Sequence, residues 1–282
     1  MENLLTVRGL TIQYRAEVST RAAVDGVSFD VASGEVLGVM GESGCGKTSV
    51  AMAILGLFSG GRAFVSGSIL FRGQDVLAMN EKSLRNIRGA AISMVYQDPG
   101  IALSPVMRVG TQVAEVTRAH KKWTWKRCCA EAHSMLGRVG LSPTDRIFSA
   151  YPHQLSGGQL QRVVLAQALI CGPALVIADE PTASLDARSQ FEFIELLREL
   201  KRSSGISLLL ISHTPEIQAS LADRILVMKE GEVVEHGSFD RVYWNSAHPY
   251  TRTLLRRDRR IAEGLPEPRR EASKTYQLAK RI

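Results

Sequence analysis

The run Gly41-Glu42-Ser43-Gly44-Cys45-Gly46-Lys47-Thr48 has the G-x-x-x-x-G-K-[ST] spacing that wraps a phosphate chain. Glycines admit backbone conformations that aim successive N–H groups inward, which makes an anion nest at a helix start. The Lys47 ammonium can reach β- and γ-phosphate oxygens, and the Thr48 hydroxyl, followed by Ser49, can ligate Mg²⁺. Far along the chain, Asp179 and Glu180 follow the apolar run Leu175-Val176-Ile177-Ala178. At the carboxyl end of a buried strand, Asp179 can hold a magnesium shell through water, and Glu180 can take a proton from an attacking water. These residue types suit cleavage of a nucleoside triphosphate. A second helix start, Leu155-Ser156-Gly157-Gly158-Gln159, offers a serine N-cap and open glycine N–H groups to another anion. Two anion-receptive starts in one chain are a puzzle that spacing alone leaves standing.

Such residues need strands that end at one edge. Leu4–Tyr14 and Val24–Val31 read as strands, and the apolar run Val36–Met40 suits a buried parallel strand feeding the glycine loop. Thr48–Leu57 fits a helix, closed by Gly56 and the Ser59-Gly60-Gly61 cluster. Ser68–Phe71 and Ile92–Gln97 are predicted strands. From Gln97 to Gln154 the period turns helical, at Val109–Ala119 and Trp125–Val139, with no strand pattern between them. Strand and helix then alternate: Leu175–Ala178, helix Ala187–Ser203, strand Ser207–Ile211, a short helix after Thr214, strand Ile225–Met228. This alternation predicts a parallel sheet with helices on both faces. Beyond Gly237 come short helices and a Pro/Arg/Glu-rich end expected to be partly disordered.

In this order the motifs resemble those of the ATP-binding cassette (ABC) ATPases over residues 4–237. The resemblance implies a P-loop NTPase core, an N-terminal antiparallel β subdomain, an all-helical insertion at about 98–160, and a C-terminal extension over 238–282. It also implies roles that single residues do not carry alone. His213, after the strand Leu208–Ser212, reads the γ-phosphate and helps orient the nucleophile. Gln97, after Met94-Val95-Tyr96, contacts magnesium or water and tethers the insertion. Leu155–Gln159 looks like the family signature, which addresses a nucleotide bound by another subunit; Asp186, in Ser184-Leu185-Asp186, looks like the D-loop that crosses between subunits. The puzzle of two anion sites is resolved by a dimer with shared sites. Tyr14 adds an aromatic face on which adenine can stack. Thr48 stands where serine is commoner and keeps the hydroxyl.

Gln97-Asp98-Pro99, Ala102-Leu103-Ser104-Pro105 and His248-Pro249-Tyr250-Thr251-Arg252-Thr253-Leu254-Leu255 resemble the oligopeptide, dipeptide and nickel importer branch, with Ser104 where many relatives carry asparagine. The branch implies ATP and Mg²⁺, a homologous ATPase subunit, two transmembrane permease subunits and, indirectly, a solute-binding protein. Peptide, nickel and other small solutes stay open, as does a soluble ABC ATPase acting on nucleic acid. Some members hold an iron–sulfur centre in the extension; no cysteine follows Cys171, so none is expected here.

Composition sets outer bounds. The 282 residues carry a net charge of +7, with nine Lys/Arg against four Asp/Glu from Arg256 onward. A basic balance that lies mostly in the tail gives no ground to expect direct nucleic-acid binding. The four cysteines form no C-x-x-C pair, apolar runs are strand-length, and the first residues lack a secretory pattern. The chain is expected at the cytoplasmic face of the plasma membrane, held peripherally by partners.

Overall fold

The computed structural model describes residues 3–14, 22–58 and 63–262. Its strands are β1 (Asn3–Tyr14), β2 (Val24–Ala32), β3 (Val36–Met40), β4 (Ala63–Phe71), β5 (Gln74–Asp75), β6 (Ile92–Val95), β7 (Leu175–Asp179), β8 (Ser207–Ile211), β9 (Arg224–Lys229) and β10 (Glu232–Ser238). Helices are α1 (Lys47–Ile54), α2 (Glu81–Ile87), α3 (Pro99–Ala102), α4 (Val109–His120), α5 (Trp125–Arg138), α6 (Thr144–Ser149), α7 (Gly157–Leu169), α8 (Ala187–Ser204), α9 (Pro215–Leu221), α10 (Phe239–Trp244) and α11 (Pro249–Ala262).

Two sheets result: a four-stranded antiparallel one in the order β2-β1-β4-β5, and a six-stranded one in the order β10-β9-β3-β8-β7-β6. Side chains of the six-stranded sheet alternate between two cores, as the two-residue period of a strand demands. Leu208 and Leu210 pack with Leu165 of α7 and Leu197 of α8. Leu209 and Ile211 face the other way, onto Val50 and Ile54 of α1 and the antiparallel sheet. Every residue of β3, β7 and β8 is buried. Each large apolar side chain so placed stabilises by roughly 1.5–3 kcal/mol. Strands anchored on both faces give the loops leaving their carboxyl ends a rigid base. Between β6 and β7 there are only helices, α3 through α7.

Four differences from the sequence reading have local causes. The six-stranded sheet is mixed, because β10 runs antiparallel to β9 at its edge. Glu230 (φ 51) and Gly231 (φ 91) make the two-residue reversal between them. β10 carries no strand signal in the sequence because most of its residues are half-buried and show no clean alternation. β6 stops at Val95, where its pairing with β7 ends, so Gln97 lies in a bend beyond the strand. α1 stops at Ile54, and the chain turns at Gly56 (φ 62), before Leu57. α2 lies outside the predicted elements, although the Asn80 side chain accepts from Ser83 N and caps it. The cluster at 59–61 and the basic end beyond 262 lie outside the described residues.

Candidate active site

The glycine loop follows β3 without a break, and three glycines in it take conformations that L side chains rarely adopt. Gly41, Gly44 and Gly46 have φ of 153, 81 and 101. Two of them also lack room: a Cβ on Gly41 would sit 2.3 Å from Met228 O, and one on Gly46 2.4 Å from Ala23 O. The loop is pressed between β9 and the start of β2, which only glycine permits.

Lys47 is buried to 8 % exposure at the first turn of α1. Its ammonium donates to Gly41 O (2.7 Å) and Glu42 O (2.9 Å), with Cys45 Sγ at 3.7 Å. These acceptors belong to the loop itself, so phosphate oxygens entering the nest can replace them. Thr48 Oγ1 donates to Asp179 Oδ2 at 2.8 Å and joins α1 to the end of β7. Burial pushes the Asp179 carboxyl above its ordinary value, and the Thr48 hydrogen bond opposes that shift.

Glu180 carries φ 46, a conformation uncommon outside glycine and costly for a long side chain. Its N–H donates to Ile211 O (2.9 Å), which ties it to β8. Its Oε1 accepts from His213 N (3.0 Å) and lies 2.8 Å from His213 Nδ1. That contact requires a proton on Nδ1, which leaves Nε2 of a neutral ring as an acceptor. Beneath them Gln218, fully buried, donates through Nε2 to Leu210 O (3.1 Å) and Ser212 O (3.2 Å), holding the strand end from which His213 departs. Gln218 carried no signal in the sequence, since a polar residue in a short helix ordinarily faces water.

A cavity of about 530 Å³ gathers Gly41, Glu42, Ser43, Gly44, Gly46, Lys47, Thr48 and Ser49 with Gln97, Asp179, Glu180 and His213. Cys45 is buried behind the loop rather than lining the cavity. Tyr14 also stands outside the lining, though its hydroxyl meets Ser49 Oγ at 3.2 Å. Ala23 and Leu254 complete the wall and were not foreseen. Both arrive from distant parts of the chain, which no local pattern reveals.

Leu155–Gln159 lies elsewhere. Ser156 caps α7, accepting from Gln159 N (3.3 Å) while Gln159 Oε1 accepts from Ser156 N (3.0 Å). None of these residues lines the cavity. A Cβ on Gly158 would lie 3.1 Å from Ser189 Oγ. The Asp186 side chain caps α8 by accepting from Ser189 N and Ser189 Oγ (2.9 and 2.8 Å), and these bonds hold its carboxyl below the ordinary value. The exposed serine-glycine start and Asp186 are thus neighbours on one surface, apart from the chain's own phosphate nest. Gln161, on α7, donates to Tyr96 O at 3.3 Å and links that helix to the segment leading into Gln97.

A glycine nest at a helix start, with two carboxylates at the end of the adjoining sheet, defines a P-loop nucleoside triphosphatase. Residues 24–183 match the family model described as "ABC transporter", and the chain belongs to that family. It is 43 % identical to the dipeptide transport ATP-binding protein DppD of Bacillus subtilis over 256 residues, 90 % of this chain and 76 % of that one. The Haemophilus influenzae protein of the same name is 40 % identical across 93 % of this chain and 79 % of its own length. The glutathione import ATP-binding protein GsiA of Salmonella choleraesuis is 41 % identical, across 90 % of this chain and 42 % of its own. Among solved structures, the ATP-binding cassette MJ0796, a dimer in a post-hydrolysis state bound to ADP and Pi, superposes with a TM-score of 0.74 at 25 % identity, covering 83 % of this chain and 98 % of that one. The cbiO1 chain of Clostridium perfringens gives 0.73 at 28 % identity, over 93 % and 98 %. ATP is the nucleotide, and its hydrolysis the activity.

Proposed function

We propose that this chain is the ATP-hydrolysing motor subunit of a peptide importer. It works at the cytoplasmic face of the membrane beside a homologous ATPase subunit and two permease subunits, with a solute-binding protein upstream. No helix among the described residues is long and apolar enough to cross a membrane. The observation that carries the catalytic part is the meeting of the glycine loop, Gln97, Asp179, Glu180 and His213 around one cavity. The dipeptide and glutathione importers among its relatives support the choice of peptides.

In this mechanism Lys47 leaves the carbonyls of Gly41 and Glu42 for phosphate oxygens. Glu180 orients a water in line with the γ-phosphate and accepts its proton, while His213 holds the Glu180 carboxylate and Gln97 lines the water's approach. Magnesium fits the site: Thr48 Oγ1 and Asp179 Oδ2 are hard oxygen donors 2.8 Å apart, and burial of an anionic Asp179 is a cost that a divalent cation offsets. Bound there with ATP, it would neutralise phosphate charge. Tyr14 stacks adenine from beside Ser49. Residues 1–237 act as the ATPase domain, with the insertion at about 98–160 receiving the permease.

Leu155–Gln159 and Asp186 act on the nucleotide of a second cassette. This predicts that Ser156→Arg abolishes hydrolysis in homogeneous protein and restores part of it when mixed with Lys47→Ala chains, since one composite site per mixed dimer is then intact. Phosphate release from the mixture measures this; a mixture as inactive as its components would refute shared sites. For transport, cells that lack this chain should lose uptake of radiolabelled di- or oligopeptide and regain it with the wild-type chain but not with Glu180→Gln. Uptake of nickel lost in place of peptide would reassign the solute.

A further inference from the structure

The His248–Leu255 segment reaches the phosphate loop. Tyr250 hydroxyl accepts a hydrogen bond from the backbone N–H of Glu42 at 3.1 Å. One turn further along α11, Leu254 forms part of the cavity wall. Leu255 is buried against Met40, the residue directly before Gly41, together with Ile225 and Val227 of β9. The start of α11 is itself fixed. Glu235 of β10 accepts from Ala247 N (2.7 Å) and His248 N (3.2 Å), and Tyr250 N donates to His248 Nδ1 (3.2 Å). Lys229 sets its ammonium 5.4 Å from the centre of the Tyr250 ring.

From these contacts we infer that the extension is a strap on the nucleotide site, in which Tyr250 positions the first turn of the phosphate loop and Leu254 closes its wall. The backbone of Glu42 is held on both sides of its Cα, its N–H by Tyr250 and its carbonyl by Lys47. Once Lys47 turns to phosphate, its grip on the carbonyl is lost, and Tyr250 goes on holding the N–H. A loop so restrained enters the bound state with less conformational freedom left to lose. Tyr250 is therefore a positioning residue whose effect falls on nucleotide affinity rather than on the chemical step.

The inference rests on the assignment of Gly41–Ser49 as the ATP site, and the experiment separates the two. ATP hydrolysis by the full chain in its assembled transporter is followed for Tyr250→Phe, which removes only the hydroxyl, and for Tyr250→Ala, which also removes the ring over Lys229. Thermal midpoints are taken with and without ATP. With Tyr250→Phe, KM for ATP should rise about three- to tenfold, the net worth of one hydrogen bond, while kcat stays within about twofold. The midpoint without nucleotide should stay as in the wild type, and the rise caused by ATP should shrink. Tyr250→Ala should move KM further in the same direction. An unchanged KM in both variants would overturn the strap, as would a fall in kcat that tracks a lowered nucleotide-free midpoint. If Lys47→Ala also left ATP affinity unchanged, the failure would lie with the site assignment and not with the strap.

Discussion

Glu180→Gln is expected to lower ATP turnover by roughly 10²–10⁴-fold, the range for losing a positioned general base, while ATP binding is retained. The substitution preserves shape. The amide oxygen of glutamine can still accept from His213 N, the 3.0 Å bond that fixes the side chain, and the backbone bond from residue 180 to Ile211 O is untouched. What it removes is a carboxylate able to take the proton of the attacking water. The positive φ at this position speaks for function over convenience, because a glutamate held at φ 46 is strained and persists only where its surroundings over-determine it. On the shared-site reading, binding without cleavage leaves two chains clamped on two nucleotides. Gel filtration with ATP should therefore show a dimer that disappears when ATP is withdrawn. Wild-type phosphate release by this variant would remove Glu180 from the mechanism.

Lys47→Ala is expected to act earlier, at binding. The ammonium makes two hydrogen bonds to loop carbonyls, and on the proposed reading phosphate oxygens take their place. Charged hydrogen bonds contribute roughly 1.5–3 kcal/mol each, so losing two of them weakens ATP by at least ~10²-fold. The fold should survive, because Lys47 bonds only to its own loop and the apolar face of α1, with Val50, Ala51 and Ile54, stays packed. Titration with a fluorescent ATP analogue checks the affinity, and a thermal melt without nucleotide checks the fold. Near-normal affinity with intact structure would dissociate the glycine loop from nucleotide binding. The two variants thus divide the site into a part that holds ATP and a part that cleaves it.

Where local spacing carries the chemistry, residue order was enough. The β3–loop–α1 unit is contiguous, so eight consecutive residues state both the nest and its cation. β7 and β8 were legible because burial on both faces leaves an unbroken apolar run; Asp179 and Glu180 follow the first run directly, and His213 comes one residue after the second. β10 was not legible, because an edge strand with half-exposed faces has no pattern to display. Gln97 could be assigned to the site but not to its backbone state, since the last paired residue of β6 depends on where β7 stops.

Other features depended on contacts between residues far apart in the chain. Gln218 reads as an ordinary helix residue until it is seen among the carbonyls at the end of β8. Ala23 and Leu254 reach the cavity from opposite ends of the chain, and the Tyr250–Glu42 bond joins residues 208 apart in sequence. The sequence by itself determined the class of chemistry and the family and named the candidate site residues, because each motif is a short run whose backbone geometry is local. Only the tertiary structure decided that Glu180 is held by His213, that Tyr14 and Cys45 stand off the cavity, and that the C-terminal extension grips the phosphate loop. Those outcomes depend on where sheet packing places distant segments, and no spacing along the chain encodes such distances.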